Sequence, residues 1–427
     1  MVKWIQQKSN VAIGILFLIT FVVVLNYPVA FFPDSQGYID MHIIRTPGYP
    51  LFLQLIQTIF GDYYETATVI VQILFGCFSV YYFIDKLRSN KILNEFFSVC
   101  FAFTLLLPFL AGLKIANNIL TESISYSLYL LLVAKFISFF ISKQVKELYY
   151  SLPILVFLLI TRYQFIYLIP VALGIICWIS YQQKSFKKHA IIIVLFITLP
   201  LITSLMDRTY HKVVHGHFVS TPWTGMNMIT APFFISDAED EVIFEDSTEK
   251  EFFQKAHKAL IDKNMNINNL GESAKLSPTQ FYIGNFAYIA MGPILKSGRE
   301  VLGNSLNKTE FFIKLDNITN RMTKPLIIDN FSKWKRIYIQ NAIHGFGGFK
   351  NVILYIFIAL CSLFFLWKKD QTIYKVLGLS SLVLIANVLI VAIGMHAVIR
   401  FTFYNDWVIF LTIFVLLNSL NKKLYES

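Results

Sequence analysis

Charge is scarce in this chain, and so are the usual marks of a soluble fold. Only 15% of the 427 residues are charged and 56% are hydrophobic, whereas soluble domains average about 25% charged residues. The four cysteines lie inside apolar stretches, which indicates neither a disulfide framework nor a zinc site. No period-two strand series and no internal repeat is present. A soluble enzyme, a disordered protein and a fibrous repeat are excluded, and an all-α polytopic membrane protein is predicted.

The membrane-crossing segments follow from the hydrophobic runs. A helix needs about 17–25 apolar residues to cross a bilayer. Ten runs near this length are present, at about 11–32, 66–84, 96–113, 123–141, 148–163, 165–180, 190–206, 351–367, 373–395 and 403–420. The first is too long for a signal-peptide core and lacks a cleavage site, so we expect an uncleaved span. The run Tyr49–Phe60 is too short to span unaided, which predicts an interfacial or re-entrant helix.

The distribution of Lys and Arg orients these spans. If Tyr49–Phe60 does not cross, one face collects fifteen Lys and Arg residues, and the short loops of the other face hold four. Those four are Arg45, Lys114, Arg162 and Arg400. The positive-inside rule then places both termini in the cytoplasm. The net charge of +11 reflects this asymmetry, so we expect membrane lipids and no nucleic acid as partners.

The spans divide the chain into three parts. Residues 1–206 form an N-terminal transmembrane module with a first outer loop at 33–48. Residues 207–350 form a mainly helical insertion on the outer face, and residues 351–427 form the C-terminal transmembrane helices. Long insertions cross the membrane regardless of their charge, so the insertion does not enter the comparison of the two faces.

Two polar clusters stand out in the insertion. His211, His215 and His217 are closely spaced, but no carboxylate follows at a familiar zinc-site offset, which favours ordinary loop histidines. The acidic stretch Asp237–Glu251 lacks calcium-loop spacing and is expected to be a solvated face. Thr248, with the glutamate three residues later, predicts a capping box at the start of a helix.

The first outer loop carries the strongest functional signal, in the sequence FPDSQGYIDMHIIRTPGYP. On a helix, five of its residues share one face: Asp34, Tyr38, Met41, His42 and Arg45. Ile39 and Ile43 lie opposite, which predicts an amphipathic helix at the membrane surface. The Thr-Pro-Gly sequence that follows Arg45 ends this helix.

A carboxylate beside a tyrosine and an arginine, just outside the membrane, can act as a general base near an anionic lipid headgroup. Asp34 equally suits a helix N-cap, since it follows a proline. Arg45 equally suits a snorkelling position. The pattern alone leaves both interpretations open.

Two later segments of the first module place charges at the outer ends of spans. Glu122 at the entrance to the fourth span is costly unless it is partnered or functional, although it also suits the dipole of a helix N-terminus. Arg162, between two short apolar runs, matches a phosphate or a carboxylate. A structural ion pair with Asp34 or Glu122 is the alternative for Arg162.

The last outer turn reads GMHAVIRFTFYNDW and contains His396 and Arg400. The two residues are four apart, so they face together if the turn is helical. The alternative is an aromatic-belt boundary, with Tyr404 and Trp407 at the headgroups and Arg400 snorkelling.

These features together resemble the GT-C membrane glycosyltransferases. That family includes protein O-mannosyltransferases, aminoarabinose transferases of lipid A, and bacterial sugar transferases with polyprenyl-phosphate donors. The resemblance rests on FPDSQGY followed by RTPGYPLFLQLIQTIFG. It covers residues 1–206 well and 350–420 loosely, and it leaves the insertion without a counterpart. Many members have Asp-Glu in the first loop, where this chain has Asp34-Ser35.

The resemblance implies an inverting glycosyltransferase of the bacterial inner or plasma membrane. It would pass a sugar from a polyprenyl-phosphate donor, such as undecaprenyl phosphate, to a glycan, lipid or protein acceptor of the cell envelope on the periplasmic face. By position, the catalytic acidic residues would be Asp34 and Glu122. The donor phosphate would be bound by Arg45, Arg162 and Arg400. The substrate-binding candidates are Tyr38, His42 and His396.

No metal is expected at this site, because only Asp34 and Glu122 offer outer-face carboxylates near the membrane and a hard divalent ion prefers several oxygen ligands. Some relatives in the family use a divalent ion such as Mg or Mn.

Two other functions fit about ten spans with a large outer loop. An O-antigen-type polymerase or ligase would place its key arginines in the large loops, whereas here the signal lies in the first loop. A lipid-linked sugar transporter or flippase would show broken helices, mid-membrane charges and paired halves, whereas this sequence has no paired halves and its charges cluster at the outer ends of spans. The glycosyltransferase is therefore the leading hypothesis.

The topology can be tested with reporter fusions. Cytoplasmic signals are expected from fusions after Asn90, Lys146, Lys187 and Lys369. Fusions near Asn268 and Asn320 are expected to report the outside. An inside signal at Asn268 would contradict the map and the placement of the active site together.

Overall fold

The computed structural model describes residues 2–270, 277–303 and 305–426, with side chains from residue 7 to residue 420. Within these ranges the chain is all-helical and has one isolated parallel bridge, between Ala30 and Asn118. Three lysines in the charge comparison, Lys3, Lys422 and Lys423, lie outside the described side chains.

The helices, in chain order, are α1 (Val2–Leu25), α2 (Ser35–Ile39), α3 (Gly48–Phe60), α4 (Tyr64–Ser89), α5 (Glu95–Leu110), α6 (Glu122–Ser142), α7 (Lys146–Thr161), α8 (Leu168–Gln182), α9 (Phe186–His215), α10 (Thr224–Ile235), α11 (Ser247–Asp262), α12 (Pro278–Ile289), α13 (Leu295–Leu302), α14 (Lys308–Asp329), α15 (Phe331–Gly345), α16 (Phe349–Lys368), α17 (Thr372–Gly394), α18 (Ile399–Thr402) and α19 (Trp407–Glu426).

The chain divides into two compact units. The first unit comprises Met1–Met206, Ile353–Asn387 and Phe403–Ser427. The second unit comprises Asp207–Val352 and Val388–Thr402. The segment with His396 and Arg400 therefore belongs to the second unit, although its sequence lies between two predicted spans.

The described residues contain eight helical segments that are long and apolar enough to cross a membrane. They are Gln7–Leu25, Gly48–Ser89, Glu122–Ser142, Tyr163–Gln182, Phe186–His215, Phe349–Lys368, Thr372–Gly394 and Ile399–Leu420. The protein is thus a multi-pass membrane protein, as its composition predicts.

Two of the ten predicted spans form shorter helices. These are α5 and α7, of 16 residues each, or about 24 Å of helix. The hydrocarbon core of a bilayer is about 30 Å thick, so length alone does not make them spanning helices. The short run Tyr49–Phe60 forms α3, which a 3-10 turn joins to α4.

Helix α6 is the innermost helix of the first unit. In its most apolar window 83% of the residues are buried, whereas in α1 the share is 22%. Exposed apolar side chains such as Ile15, Leu18 and Val22 suit contact between α1 and lipid. Because Glu122 is the first residue of α6, its carboxylate lies at the end of the most enclosed helix.

The loop that precedes α6 is fixed to the end of α1. The Ala30 N–H donates to the Asn117 carbonyl over 2.8 Å, and the Ile119 N–H donates to the Ala30 carbonyl over 3.1 Å. The Asn117 amide reaches the carbonyls of Val24 and Tyr27. From α4, the buried Gln72 amide donates to the Ala116 carbonyl over 2.8 Å. These bonds satisfy buried backbone groups that secondary structure leaves open.

The second unit corrects two predictions made for the insertion. The helix after the acidic stretch begins at Ser247, and its cap is Asp246, whose carboxylate accepts from the Thr248 and Glu249 N–H groups. The predicted capping box at Thr248 is therefore wrong. The acidic stretch is not only a solvated face, because Asp240 is buried and accepts from the Asn330 amide over 2.7 Å.

The histidines of the insertion are not all loop residues. His211 and His215 lie in the last turns of α9. The buried His211 ring contacts the Asp207 carboxylate at 3.3 Å and the Thr221 hydroxyl at 3.2 Å. The structure therefore gives His211 a packing and hydrogen-bonding role inside the second unit.

Glycine at position 48 is required where α3 begins against the end of α7. A Cβ there would lie 2.4 Å from Thr161 Oγ1, 2.8 Å from Thr161 N and 2.9 Å from the Ile160 carbonyl carbon. Gly48→Ala is expected to destabilise the protein by about 1–3 kcal/mol, the usual cost of overpacking. Thermal unfolding of the purified protein in detergent would measure this change.

Gly14→Ala is the matched control, because a Cβ on Gly14 meets no atom within 4 Å. Alanine also favours the helix at that position. Equal unfolding temperatures for the two variants would contradict the close approach of α3 and α7.

Candidate functional site

The first loop is less helical than its sequence predicts. Helix α2 has only five residues, Ser35–Ile39, and Met41 has a φ of 50°, in the left-handed region. The predicted amphipathic helix through Arg45 is therefore wrong. The chain turns after Asp40 and returns toward the start of α2, so Asp34 and Arg45 meet through a fold in the chain.

Asp34 and Arg45 form an ion pair at the head of this loop. Arg45 Nη2 lies 2.8 Å from Asp34 Oδ1, and the side chains are 16% exposed for Arg45 and 33% exposed for Asp34. The guanidinium also lies over the Tyr38 ring, 4.6 Å from its centroid. A Cβ on Gly37 would lie 2.8 Å from Arg45 Nε, so the glycine of the FPDSQGY sequence leaves room for this pairing.

The N-cap interpretation of Asp34 has no support in the hydrogen bonds. Its side chain makes no capping bond to α2. The Phe32 N–H instead donates to the Ser35 hydroxyl over 2.9 Å. His42 has a local role, since its Nδ1 accepts from the Ile44 N–H over 3.3 Å.

A second ion pair lies at the start of α6. Arg162 Nη1 is 3.0 Å from Glu122 Oε1, and the side chains are 11% exposed for Arg162 and 3% exposed for Glu122. Thr121 occupies the cap position of α6 but makes no side-chain cap. This geometry matches the ion-pair alternative for Arg162. It also explains how a carboxylate can lie at the end of so enclosed a helix, because a buried charge requires a partner.

Polar side chains hold Arg162 in place, besides its pairing with Glu122. Its Nη1 donates to the Thr121 hydroxyl over 3.1 Å and to the Tyr404 hydroxyl over 3.2 Å. Its Nε donates to Gln164 Oε1 over 2.7 Å, and the Gln164 amide in turn donates to Asn387. The orientation of the guanidinium is therefore set by the start of α6 and by the turn before α19. Helix α17 contributes through the bond between Gln164 and Asn387.

Tyr38 lies within electrostatic reach of both ion pairs. Burial raises the pKa of its phenol, while the charges of Arg45, Glu122, Arg162 and Asp34 all act on it. The phenol is therefore neutral at ordinary pH and can donate a hydrogen bond. Its ring packs edge-to-face on the buried Tyr49 ring, with centroids 5.3 Å apart.

The loop is also tied directly to the end of α7. The Thr46 hydroxyl donates to the Thr161 carbonyl over 3.0 Å, and Arg162 is the next residue. Because the Asp34–Arg45 loop and the Arg162 backbone share this junction, the two ion pairs are positioned by one set of contacts.

His396 and Arg400 lie in the second unit, His396 in the connection between α17 and α18 and Arg400 in α18. The predicted shared helical face is wrong, because α17 ends at Gly394 and α18 begins at Ile399. His396 Nδ1 lies 2.7 Å from the Ile283 carbonyl, and its ring stacks on Phe286 at 4.7 Å. Burial lowers the pKa of His396, and the Arg400 charge acts in the same direction. His396 is therefore a neutral ring that anchors α12.

Sequence reasoning did not single out Tyr404 or Gln164 as part of the Arg162 environment. The aromatic-belt alternative for Tyr404 is wrong, because its side chain is fully buried. The sequence did contain a signal for Gln164. It lies two residues after an arginine and between apolar runs, where a polar side chain needs a hydrogen-bond partner.

The described residues contain no group of three or more His, Cys, Asp or Glu side chains arranged to hold a metal ion. Each acidic residue of the site is instead paired with an arginine.

No protein-family model, no curated protein and no solved structure matches this chain.

Breaking the buried pair should cost much more than breaking a surface pair. Glu122→Gln leaves the Arg162 charge buried without a counter-charge, and the expected cost is about 3–5 kcal/mol in the free energy of unfolding. Arg321→Ala, which breaks an ion pair with Glu249 in which the Arg321 side chain is 58% exposed, should cost less than about 1 kcal/mol.

The double variant Glu122→Leu with Arg162→Met tests whether the cost of Glu122→Gln comes from the unpaired charge of Arg162. Because it removes both charges, it should recover much of the stability that Glu122→Gln loses. Denaturant or thermal unfolding of the three variants would measure this. Similar losses for Glu122→Gln and Arg321→Ala would contradict the burial of the pair.

Proposed function

We propose that the protein is a membrane glycosyltransferase of the GT-C type, which transfers a sugar from a polyprenyl-phosphate donor to an acceptor hydroxyl of the cell envelope. The observation that supports it best is the placement of Asp34. Its carboxylate is 33% exposed and paired with Arg45, and the buried Tyr38 phenol lies within electrostatic reach of Asp34, Arg45 and Arg162. A base, a hydroxyl donor and two phosphate-binding groups in one place suit the transfer of a sugar away from a phosphate.

The reaction needs one proton acceptor and one site for the departing phosphate. The acceptor hydroxyl oxygen attacks the anomeric carbon from the side opposite the phosphate, and the new C–O bond forms as the bond between carbon and phosphate oxygen breaks. The hydroxyl proton passes to Asp34 and then to solvent. The bonding electrons leave with the polyprenyl phosphate, and the anomeric configuration inverts.

Arg45 and Arg162 provide positive charge for the phosphate. A planar guanidinium matches phosphate oxygens with two parallel hydrogen bonds. Arg45 Nη2 bonds Asp34 and Arg45 Nε is buried against Gly37, so a phosphate would meet the other N–H groups of this guanidinium. Arg400 belongs to the second unit and is not used in this step.

Arg45 also links donor binding to the base. Its Nη2 bonds the same carboxylate that would accept the proton. A donor phosphate that draws Arg45 toward itself weakens that bond and frees Asp34 to accept a proton. Asp34 would then become an effective base only when a donor is present, which limits reaction with water.

Glu122 suits a positioning role. Its carboxylate is 3% exposed and lies against Arg162, so it orients the guanidinium and has little access to an acceptor. Tyr38 and His42 remain candidates for sugar contacts. Ten membrane crossings, cytoplasmic termini and an outer-facing site in the bacterial inner or plasma membrane belong to the same proposal.

Asp34→Asn tests the assignment of the base. The substitution keeps the side-chain shape and removes the proton acceptor, so sugar transfer should fall by about 10²–10⁴-fold. Mass spectrometry of cell-envelope glycans, from cells that lack the wild-type protein and carry each variant, would measure the loss. Release of polyprenyl phosphate by the purified protein would measure its rate.

Asp40→Asn is the matched control. Asp40 is exposed on the same loop, where it accepts from the Gln36 amide over 2.8 Å, and its loss should leave transfer near normal. Near-normal transfer by Asp34→Asn together with loss in Asp40→Asn would move the base to Asp40.

Metal dependence is a separate prediction. Since the acidic residues are paired with arginines, transfer should survive treatment with a chelator and dialysis. Loss of activity that manganese or magnesium then restores would contradict a metal-free mechanism.

A further inference from the structure

A cavity of about 470 Å³ lies in the second unit, between α12 and the end of α15. Its volume is within the usual range for small-molecule sites, about 300–1,000 Å³. The walls include Thr279 and Gln280 of α12, Gln340 and His344 of α15, and the two glycines that follow α15. None of these residues has a role in the chemistry proposed for the first loop.

The side chains in the walls of the cavity are mostly polar. Hydroxyls, side-chain amides, an imidazole and peptide groups line it, with two isoleucines as the apolar part. Within the described residues, no carboxylate, ammonium or guanidinium group is part of the lining. Amides and hydroxyls both donate and accept hydrogen bonds, so the site suits a neutral ligand that is rich in hydroxyl groups.

Local structure holds these groups in place. Ser277 and Gln280 form a reciprocal capping box at the start of α12. The Thr279 hydroxyl donates to the Gln340 side chain and so joins α12 to α15. Behind the cavity, the half-buried His396 ring holds the Ile283 carbonyl. A polar site held by existing hydrogen bonds loses little side-chain entropy when it binds a ligand.

Two glycines after α15 form one side of the cavity, where no side chain extends from the backbone. Gly347 and Gly348 have φ values of 74° and 120°, which favour glycine. A Cβ on Gly348 would meet no atom within 4 Å. A ligand can therefore approach the Gly348 backbone without meeting a side chain at its Cβ position, whereas the Asn351 amide packs against Gly347.

We propose that this cavity binds a neutral carbohydrate, of the class that would serve as the acceptor glycan. The choice of a glycan as acceptor rests on the proposed function. The lack of an ammonium or guanidinium group in the described walls argues against the donor phosphate as occupant, because a buried charge requires a partner.

The test uses the full chain in lipid nanodiscs, because maltoside and glucoside detergents carry sugar headgroups that would compete. Saturation-transfer NMR would compare neutral hexasaccharides of glucose, mannose and N-acetylglucosamine with an anionic oligogalacturonate. At least one neutral hexasaccharide should bind, and the anionic chain should bind less. Gln340→Leu and His344→Leu, which alter two exposed side chains of the cavity, should each weaken binding by about 3- to 10-fold.

Gln254→Leu is the control, because Gln254 is an exposed glutamine of the same unit that bonds Glu241 outside the cavity. Circular dichroism would confirm that each variant is folded. Binding that all three variants retain, a preference for the anionic chain, or no binding of any neutral hexasaccharide would overturn the proposal.

The two proposals can fail separately. If Asp34→Asn abolishes transfer while the cavity variants bind sugar normally, the glycosyltransferase stands and the cavity assignment falls. If the cavity variants lose binding while Asp34→Asn transfers sugar normally, the carbohydrate site stands and the catalytic assignment falls.

Discussion

The ion pair between Glu122 and Arg162 is the interaction on which the site depends. Glu122 begins the most enclosed helix of the first unit, and its side chain is 3% exposed. Such a carboxylate is tolerated only with a positive partner and further hydrogen bonds. Thr121, Gln164 and Tyr404 supply the bonds that fix Arg162. The pair therefore joins α6 to the end of α7 and sets the place where the first loop can dock.

The first loop adds an exposed pair to this buried one. Asp34 is accessible, whereas Glu122 is enclosed, so the two acidic residues have different surroundings although each is paired with an arginine. The difference separates a group that can meet a substrate from one that holds its neighbour. Tyr38, between the pairs, supplies a neutral hydroxyl.

Much of the fold followed from hydrophobicity, because long apolar runs leave few alternatives to membrane helices. The sequence also identified Asp34, Arg45, Glu122 and Arg162 as charges near span ends. It could not show whether Asp34 or Glu122 pairs with Arg162, since the observed contact joins residues 40 positions apart in the chain. The prediction of one helix from Asp34 through Arg45 was wrong because Met41 adopts a left-handed conformation. The periodicity of the sequence does not reveal such a turn. Aspartate and threonine are both favoured at a helix N-cap, so residue type alone did not show that Asp246, and not Thr248, caps α11.

The bond from Thr46 to the Thr161 carbonyl has a consequence for biosynthesis. Its two residues are 115 positions apart, and at a synthesis rate of about 5–20 residues per second the second is made roughly 6–23 s after the first. During that interval Asp34 and Arg45 already exist, but the surface that shapes their loop does not. The site therefore matures only after α7 has been made, and a ribosome that stalls earlier leaves a nascent chain with the loop's residues and an incomplete site.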